Sequence, residues 1–378
     1  MHHQDVPLTM RHVYERGLTT LSGGNVSMRD ADCIWITPSG IDKGALTAND
    51  VVGVQRDGTR IGTQRPSSEY PFHQAIYNAR ADVRVIIHAH VPALVAYCIA
   101  HQVPDTRIIA EAYATCGAMG YADYVMPGSP QLGAALADVF ATGYQVVLME
   151  NHGVVVVGQT ITEALYRLET CAQVAQITLH ARTLGPVMPV NTGEPDLPPA
   201  TPSIQIPPED PHQRELWVYY QRGIERGLFA PPGARLQARL DGHMIDTAPD
   251  KQPGTWDARH PYIIEARPLH LMAFAVTHRP LDTRTIPEAY MTVPLVPLVD
   301  TEQIAPMLAT HDALIVKNNR VIVSGASLLH AYDRLEVLEY TARSIIEAGR
   351  LGGVVPMTEE AIRNLTAHYH QYYRGLSG

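Results

Sequence analysis

Two periodicities share this chain, and their order predicts an α/β protein. Val83, Val85, Ile86 and Ile87 form a β-branched run that reads as a buried strand ending in His88-Ala89-His90. Val146-Val147-Leu148-Met149 and Val154-Val155-Val156-Val157 flank Glu150-Asn151-His152-Gly153 and read as a hairpin. Cys33 to Thr37 reads as a short strand, and Asp50 to Val54 with Thr59 to Gly62 as a hairpin around Arg56-Asp57-Gly58. Helical spacing fills the intervals at 8–18, 70–79, 92–101, 130–141 and 162–184. Ser67 or Ser68 is the expected N-cap of the 70–79 helix.

The second half repeats the first. Asp105-Thr106-Arg107 and Glu111-Ala112-Tyr113 recur as Asp282-Thr283-Arg284 and Glu288-Ala289-Tyr290, 177 positions on. Arg167-Leu168-Glu169 recurs as Arg334-Leu335-Glu336 at 167, and Glu15-Arg16-Gly17-Leu18 as Glu225-Arg226-Gly227-Leu228 at 210. The falling offset means that the second copy lost about 33 residues before its equivalent of the His88 strand. On this alignment His88, His90 and His152 become Glu265, Arg267 and Asn319, and Gly23-Gly24-Asn25 becomes Pro232-Gly233-Ala234. The expected organisation is a catalytic domain at 1–184, a Pro-rich linker at 185–212 with Pro-Pro pairs at 198–199 and 207–208, and a degenerate domain at 213–378.

Composition narrows the function classes. At 378 residues, 46% hydrophobic and 18% charged, the chain is globular and long enough for two cores. A net charge of −9 with no basic run argues against a nucleic-acid surface. No apolar stretch reaches the ~18 residues of a membrane span. The start, Met1-His2-His3-Gln4-Asp5, lacks the charged and apolar regions of a signal peptide. Cys33, Cys98, Cys116 and Cys171 include no C-x-x-C pair and read as reduced thiols, so a cytoplasmic location is expected.

The candidate chemistry gathers in the first half. Residues two apart on a strand face the same way, so His88 and His90 can reach one metal ion, and a hairpin end can bring His152 to it. Gly24 and Asn25 in Ser22-Gly23-Gly24-Asn25, Ser39 and Gly40 in Pro38-Ser39-Gly40, and Ser67 and Ser68 before the 70–79 helix are small-residue loops suited to an anion. Glu69 is an acidic group beside them.

Together, S-G-G-N-V-S, I-T-P-S-G, P-S-S-E, H-A-H and E-N-H-G resemble the class II aldolase/adducin family, in particular its fuculose-phosphate aldolases, over residues 8–190. The resemblance implies a three-layer α/β/α fold around a mixed, mostly antiparallel sheet, here present twice. It implies a divalent metal on His88, His90 and His152, with Zn2+ expected and Mn2+, Co2+ or Fe2+ as alternatives. It implies phosphate binding by Gly24, Asn25, Ser39, Gly40, Ser67 and Ser68, and an acid/base role for Glu69. A dry pocket is expected to raise the Glu69 pKa towards the working pH. The reaction implied is cleavage or formation of a C–C bond of a phosphorylated ketose through an enediolate. Decarboxylation or 4-epimerisation of a phosphorylated sugar or sugar acid is the alternative on the same scaffold, and a non-catalytic, adducin-like interaction protein is the alternative of another class. The family's proton-donating tyrosine falls near Ile108 or Ile109 in this sequence, and Tyr113 is the nearest substitute. Family tetramers imply a homo-oligomer, with a dimer of this tandem chain imitating the tetramer.

Overall fold

A computed structural model describes residues 4–190, 210–229, 235–240, 243–246 and 259–374. Residues 191–209, most of the expected linker, lie outside the described residues, as does the Pro232-Gly233-Ala234 loop. The chain forms two compact units, one chiefly from Met1–Arg107 and Glu111–Gln176, the other chiefly from Ile177–Asn191 and Pro198–Gly378. The division falls within the long helix that closes the first half, before the expected boundary at 184.

The first unit begins with α1 (Asp5–Glu15), which starts and stops earlier than the apolar spacing suggested. Gly17 stops it. At φ +67° it adopts the left-handed conformation, and the amide of Leu18 returns to the Val13 carbonyl, which closes a Schellman-type cap. β1 (Asn25–Arg29), β2 (Cys33–Ile36), β3 (Val52–Gln55) and β4 (Arg60–Ile61) follow as a meander. Then come α2 (Tyr70–Ala79), β5 (Val85–Ala89), α3 (Pro92–Ile99), α4 (Ala110–Cys116), β6 (Gly120–Ala122), α5 (Pro130–Ala141), β7 (Val146–Met149), β8 (Gly153–Gly158) and α6 (Ile161–Leu184). The sheet order is β4-β3-β2-β1-β5-β8-β7-β6, antiparallel except for the β6–β7 pair.

Every residue of β5, β7 and β8 is buried. Such strands need cover on both faces, which is why they read as continuous apolar runs. Ile86, Val147, Met149, Val155 and Val157 on one face pack with Phe72, Ile76 and Tyr77 of α2 and Leu132, Leu136 and Phe140 of α5. Each fully buried large side chain there contributes about 1.5–3 kcal/mol. His88 has the same parity as Ile86, so it projects towards α2, and the ring edge of Phe72 meets it with centroids 5.7 Å apart. The four cysteines are free and buried, as expected of reduced thiols.

The second unit contains α7 (Pro211–Glu225), β9 (Arg235–Leu240), β10 (His243–Asp246), β11 (Tyr262–Ala266), α8 (Leu269–Thr277), α9 (Pro287–Thr292), β12 (Leu298–Val299), α10 (Ile304–Leu308), β13 (Ala313–Val316), β14 (Arg320–Gly325), α11 (Leu328–Arg350) and α12 (Glu359–Arg374). Its sheet order, β10-β9-β11-β14-β13-β12, follows β2-β1-β5-β8-β7-β6 strand for strand, again with one parallel pair at the end. Asn25 lies opposite His88 in the first sheet, and Arg235 lies opposite Glu265 in the second, 210 and 177 positions on, so Arg235 stands where Asn25 stands and the expected match of Asn25 with Ala234 is corrected by one residue. Among the described residues nothing corresponds to β3 and β4.

Candidate metal centre and acid/base site

Two elements of the first unit bring the histidines together. β5 carries His88 and stops one residue before His90, and the β7–β8 turn carries His152. Asn151 takes the left-handed conformation at φ 52°, and the His152 amide donates to the Met149 carbonyl, which folds the turn back over the strand end. Gly153 makes the approach possible. A Cβ there would stand 2.6 Å from the Ala89 carbonyl oxygen and 2.9 Å from Cδ2 of His90. Gly153→Ala is therefore expected to cost about 1–3 kcal/mol and to loosen the His152 turn. Thermal unfolding of the variant checks this, and an unchanged melting temperature would contradict it.

One ring nitrogen from each of His88, His90 and His152 lies within 4.8 Å of the other two. Nδ1 of His88 sits 3.0 Å from the Val154 carbonyl oxygen, which can only accept. Nδ1 therefore carries the proton, and Nε2 presents a lone pair to the cluster. Nε2 of His90 lies 3.0 Å from that same Nε2. Two acceptor nitrogens repel at this distance, so either a proton or a cation must lie between them. Burial pushes His88 down to about 4 against the opposing Glu69 charge, and burial lowers His90 as well, so both rings favour the neutral form. Neutral imidazoles are metal ligands, and tetrahedral Zn–N bonds of about 2.0–2.1 Å would separate the nitrogens by ~3.3 Å. The three residues thus fit a divalent ion.

Glu69 stands against this cluster. Its Oε2 is 3.3 Å from Nε2 of His88, and its Oε1 is 3.3 Å from Nε2 of His152. The expectation about its pKa is corrected. Burial does favour the protonated form, but His88, His152 and the Asn25 amide outweigh burial and hold the carboxyl well below the usual range. In its ionised form Glu69 can accept a proton. It is itself the N-cap of α2, so the expectation of Ser67 or Ser68 at that position is corrected too. Pro71 at the second helical position fixes where the helix can start, and Ser67 Oγ instead accepts the Glu69 amide at 3.2 Å.

The small-residue loops interlock beside Glu69. Pro38 bridges Pro66, the Ser67 amide donates to the Thr37 carbonyl, and the Ser39 amide donates to Arg65. Gly24 packs its α-carbon against the His88 carbonyl and takes φ +67°. The side chains of Ser39 and Ser68 and the turn at Gly40 are exposed. Asn25 is buried, with both ends of its amide engaged: Nδ2 donates to Glu69 Oε2 at 2.7 Å, and Oδ1 faces Nε2 of His73. Tyr113 is half-buried on α4, and among the described residues no hydrogen bond joins it to Glu69 or to the histidines.

Two residues of this site were not singled out from the sequence. His73 is completely buried behind Asn25. Lys43 is 1% exposed, gives its amide to the Leu21 carbonyl and its Nζ to the Pro38 carbonyl at 2.7 Å, and so ties the first two loops together. Burial pushes Lys43 down to about 8, with the Glu69 charge opposing. A lysine is normally a surface residue, so its type gave no warning of this role.

Residues 4–179 match the family described as the class II aldolase and adducin N-terminal domain. An L-fuculose phosphate aldolase of Methanococcus maripaludis is 32% identical over 170 residues, which span 44% of this chain and 90% of that protein. The chain belongs to the class II aldolase and adducin family. A 3-oxo-tetronate 4-phosphate decarboxylase of Haemophilus influenzae is also 32% identical, over 44% of this chain and 81% of its own length. A solved structure of an L-fuculose 1-phosphate aldolase is 28% identical and covers 51% of this chain and 90% of its own, with a TM-score of 0.47. The family match stops near the end of α6, so it does not extend over the second unit. Among the described residues no helix is long and apolar enough to cross a membrane.

The second unit fills the corresponding place differently. Arg320, which stands where Gly153 stands in the first unit, puts Nε 2.7 Å from Oε2 of Glu265. Arg267 donates to the Asn319 carbonyl at 2.7 Å. An ion pair and a side chain-to-backbone bond thus occupy the strand ends that carry imidazoles in the first unit.

Proposed function

We propose that this protein is a metal-dependent aldolase that cleaves or forms a C–C bond of a phosphorylated ketose, with Zn2+ as its ion. The observation that carries this reading is the placement of the Glu69 carboxyl group, 3.3 Å from both His88 and His152 and flanked by the small-residue loops. The ion, held by His88, His90 and His152, would supply Lewis-acid polarisation of the substrate carbonyl. Glu69 takes the proton from the carbon beside that carbonyl. Gly24, Ser39, Gly40 and Ser68 hold the phosphate, which fixes the reacting carbon beside Glu69. Asn25 and Ser67 serve the same site from behind, through Glu69. We further propose that the second unit is a duplicated copy whose site was lost, because its strand order, offsets and register follow those of the first.

Dihydroxyacetone phosphate in deuterated water tests the reaction. The metal-loaded protein is expected to exchange one α-proton of this compound stereospecifically, without an aldehyde present. Absence of exchange would overturn the aldolase reading. The similarity to a decarboxylase supports a second reading on the same residues. Release of carbon dioxide from a phosphorylated 3-keto acid, with no turnover of phosphorylated ketoses, would favour that reading.

A further inference from the structure

Behind Glu69 runs a buried chain of polar side chains that the reaction does not touch directly. Tyr77 Oη lies 2.8 Å from Ser27 Oγ, which lies 2.7 Å from Nδ1 of His73. Nε2 of His73 meets Oδ1 of Asn25, and Nδ2 of Asn25 reaches Glu69 Oε2 at 2.7 Å. Ser27 and His73 are fully buried, and Tyr77 and Asn25 nearly so.

The proton positions follow from the far end. Asn25 turns its NH2 towards Glu69, to which it donates, and its carbonyl oxygen towards His73. His73 must then carry its proton on Nε2 and accept at Nδ1. Ser27 must donate its hydroxyl proton to Nδ1 and accept from Tyr77. Every donor in the chain therefore points towards Glu69, an arrangement in which each bond polarises the next. Burial pushes the His73 pKa down to about 3, which keeps the ring in this single neutral form. Phe72 stacks on the ring at 4.4 Å and limits its rotation.

We propose that His73 is a positioning residue: acting through Asn25, it sets the direction in which the Glu69 carboxylate faces the reacting carbon. The proposal rests on the reading of Glu69 as the proton acceptor. A ring without partners would have been a packing residue, but a ring whose tautomer is fixed by a hydroxyl on one side and an amide on the other transmits orientation.

His73→Leu and His73→Gln test it. Leucine fills the volume and removes the donor, whereas glutamine restores an N–H that can reach Asn25. The expected result for leucine is a kcat about 10- to 100-fold lower, with KM and bound metal within about twofold of the parent. Glutamine is expected to recover most of that loss. If leucine leaves kcat within twofold, or if both variants lose equally, the proposal falls. Should the leucine variant fail to fold, Ser27→Ala removes the proton given to Nδ1 and leaves only a one-atom gap. It is expected to lower kcat about fivefold, and unchanged kcat would overturn the proposal. Crystal structures of the variants separate this proposal from the reading beneath it. Displacement of the Asn25 amide and the Glu69 carboxylate by about 1 Å in the leucine variant, but not in the glutamine variant, supports positioning even if the parent protein exchanges no α-proton. Unmoved groups in both variants would refute positioning even if the aldolase reading stands.

Discussion

His152→Ala is expected to reduce bound divalent metal from one equivalent per chain to about a tenth or less after dialysis, and to lower turnover by about a thousandfold or more. Elemental analysis of the dialysed protein and the rate of ketose phosphate cleavage check the two halves of this statement. His88 and His90 come from one strand end and are held by it, but two imidazoles leave a divalent ion half-coordinated and easily lost. His152 arrives from a separate turn, so its removal takes away a ligand without disturbing β5. Alanine at an intermediate-exposure turn position also leaves no buried cavity of consequence, so the variant is expected to fold. Metal retained at full stoichiometry would show that the ion sits elsewhere.

The second unit shows why this loss would not be repaired by the fold. There the strand ends need no ion, because Glu265 and Arg320 neutralise each other and Arg267 satisfies the Asn319 carbonyl. The first unit has no such compensation built in. Gly153 offers no side chain to fill the space, and the facing histidines favour their neutral forms. The same strand order closes its ends with an ion pair in the second unit and carries imidazoles there in the first.

Much of this was legible in the sequence because it depends on strand parity and turn position. His88 and His90 could be paired from their i, i+2 spacing, and His152 from its place in a hairpin between two β-branched runs. The difference in length between the two halves was legible as a falling offset, and the second sheet lacks counterparts of β3 and β4 among the described residues where that offset changes. What escaped was tertiary. Asn25 looked like a loop residue free for an anion, but its strand register opposite His88 aims its amide at Glu69. His73 looked like one histidine among 18, on a helix face that only folding brings behind Asn25. Glu69 was legible as the acidic group of the site, but the direction of its pKa was not. Burial alone raises a carboxyl pKa, and only the arrangement of His88, His152 and Asn25 reverses the sign.

Glu69→Gln separates binding from chemistry. Glutamine keeps the shape and an oxygen that can accept from Asn25, so the loop geometry is expected to persist. It cannot take up a proton. In the proposed site the three histidines would hold the ion without help from Glu69, so bound metal is expected to stay near one equivalent per chain. Exchange of the α-proton of dihydroxyacetone phosphate is expected to fall about 10^2- to 10^4-fold, with binding of the ketose phosphate changed only a few-fold. The same variant discriminates between the two reactions. An aldol step in the synthetic direction begins by removing a proton, so loss of the acceptor stops it at the start. Decarboxylation begins by losing carbon dioxide and needs a proton only afterwards, which solvent can deliver. A Glu69→Gln protein that still releases carbon dioxide from a phosphorylated 3-keto acid at near-parent rates, but gives a product deuterated on both faces, would mark a decarboxylase in which Glu69 directs the returning proton. A protein silent in both assays, with its metal still bound, would mark Glu69 as the base of an aldolase.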